Sequence, residues 1–133
     1  MTEVPTITLN DGNKMPQLGL GVFRIPDHEK ARQTVEMALA NGYRMIDTAE
    51  AYDNQIAVGE AIAESAVNRD DIFLTTKIWV SNMSYEKAIN AIDHDLKELG
   101  TDYIDLVLLH QPYGDTFGAW DALAAAKRAG KIR

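Results

Sequence analysis

The sequence predicts an α/β protein in which a β-hairpin precedes four successive strand–helix units, giving a parallel sheet covered by helices. Three observations predict it. Short apolar runs alternate with longer segments whose apolar residues recur every three or four positions. A glycine follows three of the periodic segments, at Gly42, Gly100 and Gly130. No linker or low-complexity stretch divides residues 1–133, so one domain is expected, built from architectural units without a visible sequence repeat.

Each element has its own justification. Thr6-Ile-Thr-Leu9 and Lys14-Met-Pro16 flank Asn10-Asp-Gly-Asn13, an Asp-Gly turn that predicts a hairpin over about residues 6–16. Gln17-Leu-Gly-Leu-Gly21 reads as a first buried strand. Asp27 can cap the next helix, whose inner face would carry Ala31, Val35, Ala38 and Leu39, and Asn41-Gly42 ends it. Tyr43–Asp47 reads as a second strand, followed by a helix over about 54–66. Asp71–Lys77 reads as a third strand. Ser84 caps a helix with the stripe Ile89, Ile92, Leu96 and Leu99, and Gly100 stops it. Tyr103–His110 is the fourth strand, and a helix over about 116–129 is expected to bury Trp120, Leu123 and Ala124. Gly130-Lys-Ile-Arg133 looks like the approach to a fifth strand.

Composition narrows the function classes. The net charge of −7 argues against nucleic acid or an anionic membrane as the main partner. No apolar run approaches the ~18 residues that would cross a bilayer. The opening Met1-Thr-Glu-Val-Pro5 is acidic and unlike a secretion signal. With no cysteine there is neither a disulfide framework nor thiolate chemistry, and a cytoplasmic location is the simplest expectation. Gly19-Leu-Gly21 lacks the third glycine of a dinucleotide loop and is better read as close packing of strand and loop.

Chemistry concentrates in three segments: Met45-Ile-Asp-Thr-Ala-Glu-Ala-Tyr52, Leu74-Thr-Thr-Lys-Ile-Trp79 and Leu108-Leu-His-Gln-Pro112. Each is a strand-like run leading to a proton-handling side chain. In a parallel βα array the carboxyl ends of the strands share one face, so Asp47, Tyr52, Lys77 and His110 are expected together. A buried amine needs a partner, and Asp47 is the obvious one for Lys77. A purely structural ion pair explains those two residues equally well. Tyr52 alone could pack under a helix, and its ordinary pKa of about 10 makes it a poor acid without a cation near it. His110 alone could be a core histidine. His28 and His94 read as surface residues, and with His110 they form no metal-ligand spacing, so no metal is expected. Glu50 and Asp53 flank Tyr52 without a cue to separate them from solvated loop acids.

The same residues carry a family resemblance. Gly42-Tyr-Arg-Met-Ile-Asp-Thr-Ala-Glu-Ala-Tyr52, Thr75-Thr-Lys77 with Trp79, Asp102-Tyr-Ile-Asp-Leu-Val-Leu-Leu-His110 and Met15-Pro-Gln-Leu-Gly-Leu-Gly21 resemble the aldo-keto reductases, closest to the bacterial branch that reduces diketogluconate and methylglyoxal. The resemblance covers essentially the whole chain. It implies half of a TIM (β/α)8 barrel and NADPH-dependent reduction of aldehydes or ketones. It implies that Tyr52 donates a proton to the carbonyl, that Lys77 paired with Asp47 lowers the Tyr52 pKa, and that His110 orients the substrate. Asp47 would also touch the cofactor, and Phe23 and Trp79 would line the substrate pocket, although a core position explains those two equally well. Gln111 and Gln55 depart from the pattern, the first where many relatives have an aromatic, the second where the usual residue is an acid.

A complete barrel takes roughly 250 residues. Two expectations follow for a chain of 133. One is a carbonyl reductase, by family or through reassembly of a barrel. The other is a non-catalytic half-barrel lacking most of the cofactor site, which self-associates through its open edges as a homodimer or larger assembly.

Overall fold

The computed structural model describes residues 3–133. Met1 and Thr2, at the start of the acidic N-terminal stretch, lie outside the described residues. Thr6–Thr8 (β1) and Lys14–Pro16 (β2) form the antiparallel hairpin, paired Thr6 to Pro16 and Thr8 to Lys14. Gly12 takes the left-handed conformation that the turn requires, at φ 86°.

The main sheet follows in chain order. Its strands are Leu20–Gly21 (β3), Met45–Asp47 (β4), Phe73–Ile78 (β5) and Leu106–Leu109 (β6), all parallel. The helices His28–Ala40 (α1), Gln55–Glu64 (α2), Tyr85–Leu99 (α3) and Thr116–Arg128 (α4) alternate with them. Asp27 caps α1 by accepting from the Lys30 amide at 2.9 Å, and Ser84 caps α3 through the Lys87 amide at 3.3 Å. Gly100 ends α3 at φ 62°. The buried face of α1 is Ala31, Val35, Ala38 and Leu39, as the periodicity predicts.

Three expectations need correction. The first strand of the sheet is two residues long and is not buried, with Leu18 49% exposed. It is an edge strand with a neighbour on one side only. Trp120 is 62% exposed and Ala124 only half-buried, because α4 turns Ala119, Ala122, Leu123 and Ala126 inward. A step of 100° per residue carries Trp120 off that stripe. The fourth strand is narrower than residues 103–110, although Ile104 ahead of it makes an isolated parallel bridge to Ile132.

Strand alternation decides which side chains meet. Leu74, Thr76 and Ile78 face the helices, where Thr76 Oγ1 donates to Gln55 on α2. Thr75 and Lys77 therefore face the other side, and the register Asp47 to Thr75 and Lys77 to Leu108 puts those partners there too. On this face Leu108 is 41% exposed. Among the described residues no helix is long and apolar enough to cross a membrane.

Candidate active site

The site grows from the carboxyl ends of β4, β5 and β6. Beyond β4 the chain makes a short 3-10 turn, Glu50–Tyr52, and Asp53 leaves it in the left-handed conformation at φ 56°. That turn swings the Tyr52 phenol back over the strand ends. Asn54 fixes the turn from below: its Oδ1 accepts from Thr48 Oγ1 at 2.7 Å and its Nδ2 donates to the Val22 and Ile25 carbonyls at 3.0 and 3.2 Å. The loop after β3 is thereby tied to the loop after β4.

Lys77 is the hub. Its ammonium donates to Asp47 Oδ1 at 2.5 Å, to the Thr48 carbonyl at 2.9 Å and to the Tyr52 hydroxyl at 3.3 Å. The Lys77 side chain is 12% exposed and Asp47 is 29% exposed, so the cation is largely desolvated while its counter-ion reaches the rim. All three donors of the ammonium are used, as burial of a charge requires.

His110 stands edge-on to Tyr52, ring centroids 5.8 Å apart, and edge-on to Trp79 at 5.1 Å. Burial, then the Lys77 charge, hold its imidazole below the ordinary value, with Asp47 and Glu50 opposing. It is therefore neutral near pH 7. Its Nδ1 is buried without a partner. A buried N–H left orphaned is rarer than an unpaired acceptor, so the proton belongs on Nε2.

The four residues expected together are together. Phe23 is 62% exposed with its ring 5.1 Å from Tyr52, and Trp79 borders His110, so Phe23 flanks the phenol and Trp79 the imidazole, and neither is in the core. His28 and His94 have side chains 54% and 66% exposed. Glu50 is different from the solvated loop acid that the sequence left it as. Its Oε2 accepts from the Trp79 amide at 3.0 Å and from Asn82 Nδ2 at 2.8 Å. Nothing local in the sequence marks this, because the partners lie 29 and 32 residues away.

Known proteins share this fold and sequence. The aldo/keto reductase family model matches residues 17–133. The chain belongs to the aldo/keto reductase family. It is 42% identical to a glyoxal reductase of Bacillus subtilis over 96% of the chain and 47% of that protein. A crystal structure of an aldo/keto reductase from Brucella melitensis superposes with a TM-score of 0.92 at 48% identity, covering 97% of this chain and 51% of that one. An aldo-keto reductase of Bombyx mori in complex with NADP superposes at 0.90 and 34% identity, over 100% and 50%. The chain spans about half the length of the curated relatives it matches. The four strand–helix units thus correspond to half of an aldo-keto reductase TIM barrel.

Proposed function

We propose that this chain carries the proton-donating half of an NADPH-dependent site that reduces small aldehydes and ketones to alcohols. One observation carries the reading: the Lys77 ammonium lies 3.3 Å from the Tyr52 hydroxyl while Asp47 and the Thr48 carbonyl hold it from behind. In this reading Tyr52 gives its proton to the carbonyl oxygen, and the negative charge left on the phenol oxygen is met by Lys77. Asp47 keeps that ammonium charged and pointed. Neutral His110 donates from Nε2 to the same carbonyl oxygen and fixes its lone pairs toward Tyr52. Phe23 and Trp79 give the substrate an apolar border and exclude water from one side.

The residues present fit the reacting end of a nicotinamide: a supported hydroxyl and a neutral imidazole, both open toward the exposed face of the sheet. Asp47 is the residue of this chain that would touch the cofactor. NADPH when bound supplies the hydride. A basic cradle for its phosphates is not part of this constellation, since Lys77 is committed to Asp47.

That shortage supports a second reading. The open edge at β6 and the exposed Leu108 suit pairing with a further barrel half, such as a second copy of the chain, and without it the half-barrel is non-catalytic. One titration tests both. In a Trp120→Phe background NADPH is expected to quench Trp79 fluorescence, and Tyr52→Phe to keep that binding while losing turnover of glyoxal by at least about 100-fold, the scale of a lost general acid. No quenching at millimolar NADPH sinks catalysis by the chain alone. Sedimentation velocity across the same concentrations shows whether binding follows self-association.

A further inference from the structure

On the helix side of the Tyr52 turn, a cavity of about 660 Å³ opens between that turn, the start of α2 and one face of α3. At its inner wall two carboxyl oxygens are shut off from solvent and have no N–H or hydroxyl partner: Oδ2 of Asp95 and Oε1 of Glu50. Asp95 is 1% exposed. The other oxygen of each group is engaged. Asp95 Oδ1 accepts from Gln55 Nε2 at 2.9 Å, and Glu50 Oε2 holds the Trp79 amide and Asn82. Both residues line the same cavity, and the Glu50 carboxylate raises the Asp95 carboxyl through its charge and through hydrogen bonding. Two ionised carboxylates cannot face each other in such a place without a large cost, whereas one proton between them satisfies both oxygens.

We propose that Glu50 is a positioning residue for Tyr52, held in place by one proton that its Oε1 shares with Oδ2 of Asp95.

The covalent path is short. Glu50 opens the 3-10 turn that Tyr52 closes, and Ala49 before it offers that turn no side-chain cap. Tertiary anchors of this turn therefore count, and the Glu50 carboxylate is one that reaches two elements at once. One oxygen ties it to the end of β5 at Trp79, whose ring borders His110. The other leans on α3. The distance between the proton donor and the substrate side of the site is set partly by where Glu50 stands.

Charge around the pair explains where the proton resides. Burial first, then the Glu50 and Glu98 carboxylates, push the Asp95 carboxyl up to about 8, against the Gln55 amide. Asp95 is therefore the member that keeps the proton at neutral pH. Glu98 also accepts from Gln55 Nε2, and exposed His94 lies 3.7 Å from Glu98. Lys87 and His28 border the same cavity without bonding to the pair. Gln55 now has a reason. Its amide accepts from Thr76 Oγ1 and donates to Asp95 and Glu98, which a carboxylate at this position could not do. When the proton leaves, two like charges face each other, and Glu50 yields because its turn is the less buried element.

The kinetic consequence rests on the reductase reading, but the structural one does not, and the experiment separates them. Carboxyl ¹³C and backbone ¹⁵N shifts are followed against pH in the full chain. Asp95 is expected to titrate near neutrality or above, with the Trp79 amide following the same midpoint. Glu50→Gln, whose amide can donate to an ionised Asp95, is expected to lower that midpoint by about 1 unit or more. Asp95→Asn, which keeps a donor toward Glu50 at every pH, is expected to abolish the Trp79 titration. An Asp95 carboxyl that titrates in the ordinary carboxylate range, or a Trp79 amide that ignores it, overturns the proposal with the wild-type chain alone. With NADPH and glyoxal, the alkaline fall in kcat is expected to follow the Asp95 midpoint and to move to higher pH in Asp95→Asn. A chain that turns over with an unmoved alkaline limb in that variant overturns the positioning role. A chain that reduces no carbonyl sinks the reductase reading and leaves the shifts to decide this one.

Discussion

Replacing Lys77 by methionine keeps the length of the side chain and removes its charge. Three hydrogen bonds vanish, at 2.5, 2.9 and 3.3 Å, and Asp47 loses its counter-ion. Breaking a fully buried pair from one side costs roughly 3–5 kcal/mol, mostly through the charge left behind. Asp47 is 29% exposed and can recruit water, which discounts that figure. The Lys77 desolvation cost is also recovered. A loss of about 2–3 kcal/mol results, or roughly 8–12 °C in Tm for a chain of this size. Urea unfolding of wild type, Lys77→Met, Asp47→Asn and the double variant, at one protein concentration, closes a cycle. The double variant is expected to be more stable than Lys77→Met, because the orphaned carboxylate is gone. If Lys77→Met is as stable as wild type, or the double variant no better than that single one, the pair is not the hub that its geometry describes.

Other outcomes are as specific. Gly59 on α2 meets α3 so closely that an added Cβ would lie 2.5 Å from the Leu99 carbonyl oxygen and 2.8 Å from its Cα. Gly59→Ala gains up to about 1 kcal/mol of helix propensity, but the obstacle is backbone and cannot swing aside. A net loss of about 1–2 kcal/mol is expected in urea unfolding, and a gain would mean that the two helices separate freely. Asp95 gives stability a pH slope. Its folded carboxyl titrates above its ordinary 3.8, so the folded chain holds the proton more tightly and the associated stability is greatest in acid. That contribution falls as pH rises between about 4 and 8, and Asp95→Asn is expected to remove the slope when unfolding midpoints are compared at pH 5, 6 and 7. His110 works in the opposite direction, from the acid side of its own range. Its folded pKa is depressed, so the unfolded chain binds the proton first and stability declines as pH falls below about 6.5. His110→Gln is expected to flatten that decline.

Much of this was legible in the residues because it depends on short-range rules. The 3.6-residue stripe of α1, the caps at Asp27 and Ser84, the Asp-Gly hairpin and the glycine stop at Gly100 each involve neighbours within a few positions. The gathering of Asp47, Tyr52, Lys77 and His110 was legible for a second reason: parallel strands put all their carboxyl ends on one face, and alternation fixes which side chains point the same way. Trp120 and the first strand of the sheet were misread because exposure there depends on which neighbours exist. Periodicity marks a stripe but does not say where it is centred, and an apolar run does not say whether it lies at an edge.

The sequence by itself determined the lineage, the strand–helix order and the identity of the proton-handling quartet. Tertiary structure decided what the quartet rests on. Glu50 and Asp95 are 45 residues apart, on a turn and on a helix that border one cavity. Both are ordinary surface residues by type, and only the loss of water around Asp95 turns a solvated acid into one that keeps its proton. Burial is a property of the assembled chain, so the chemistry that depends on it becomes visible only there.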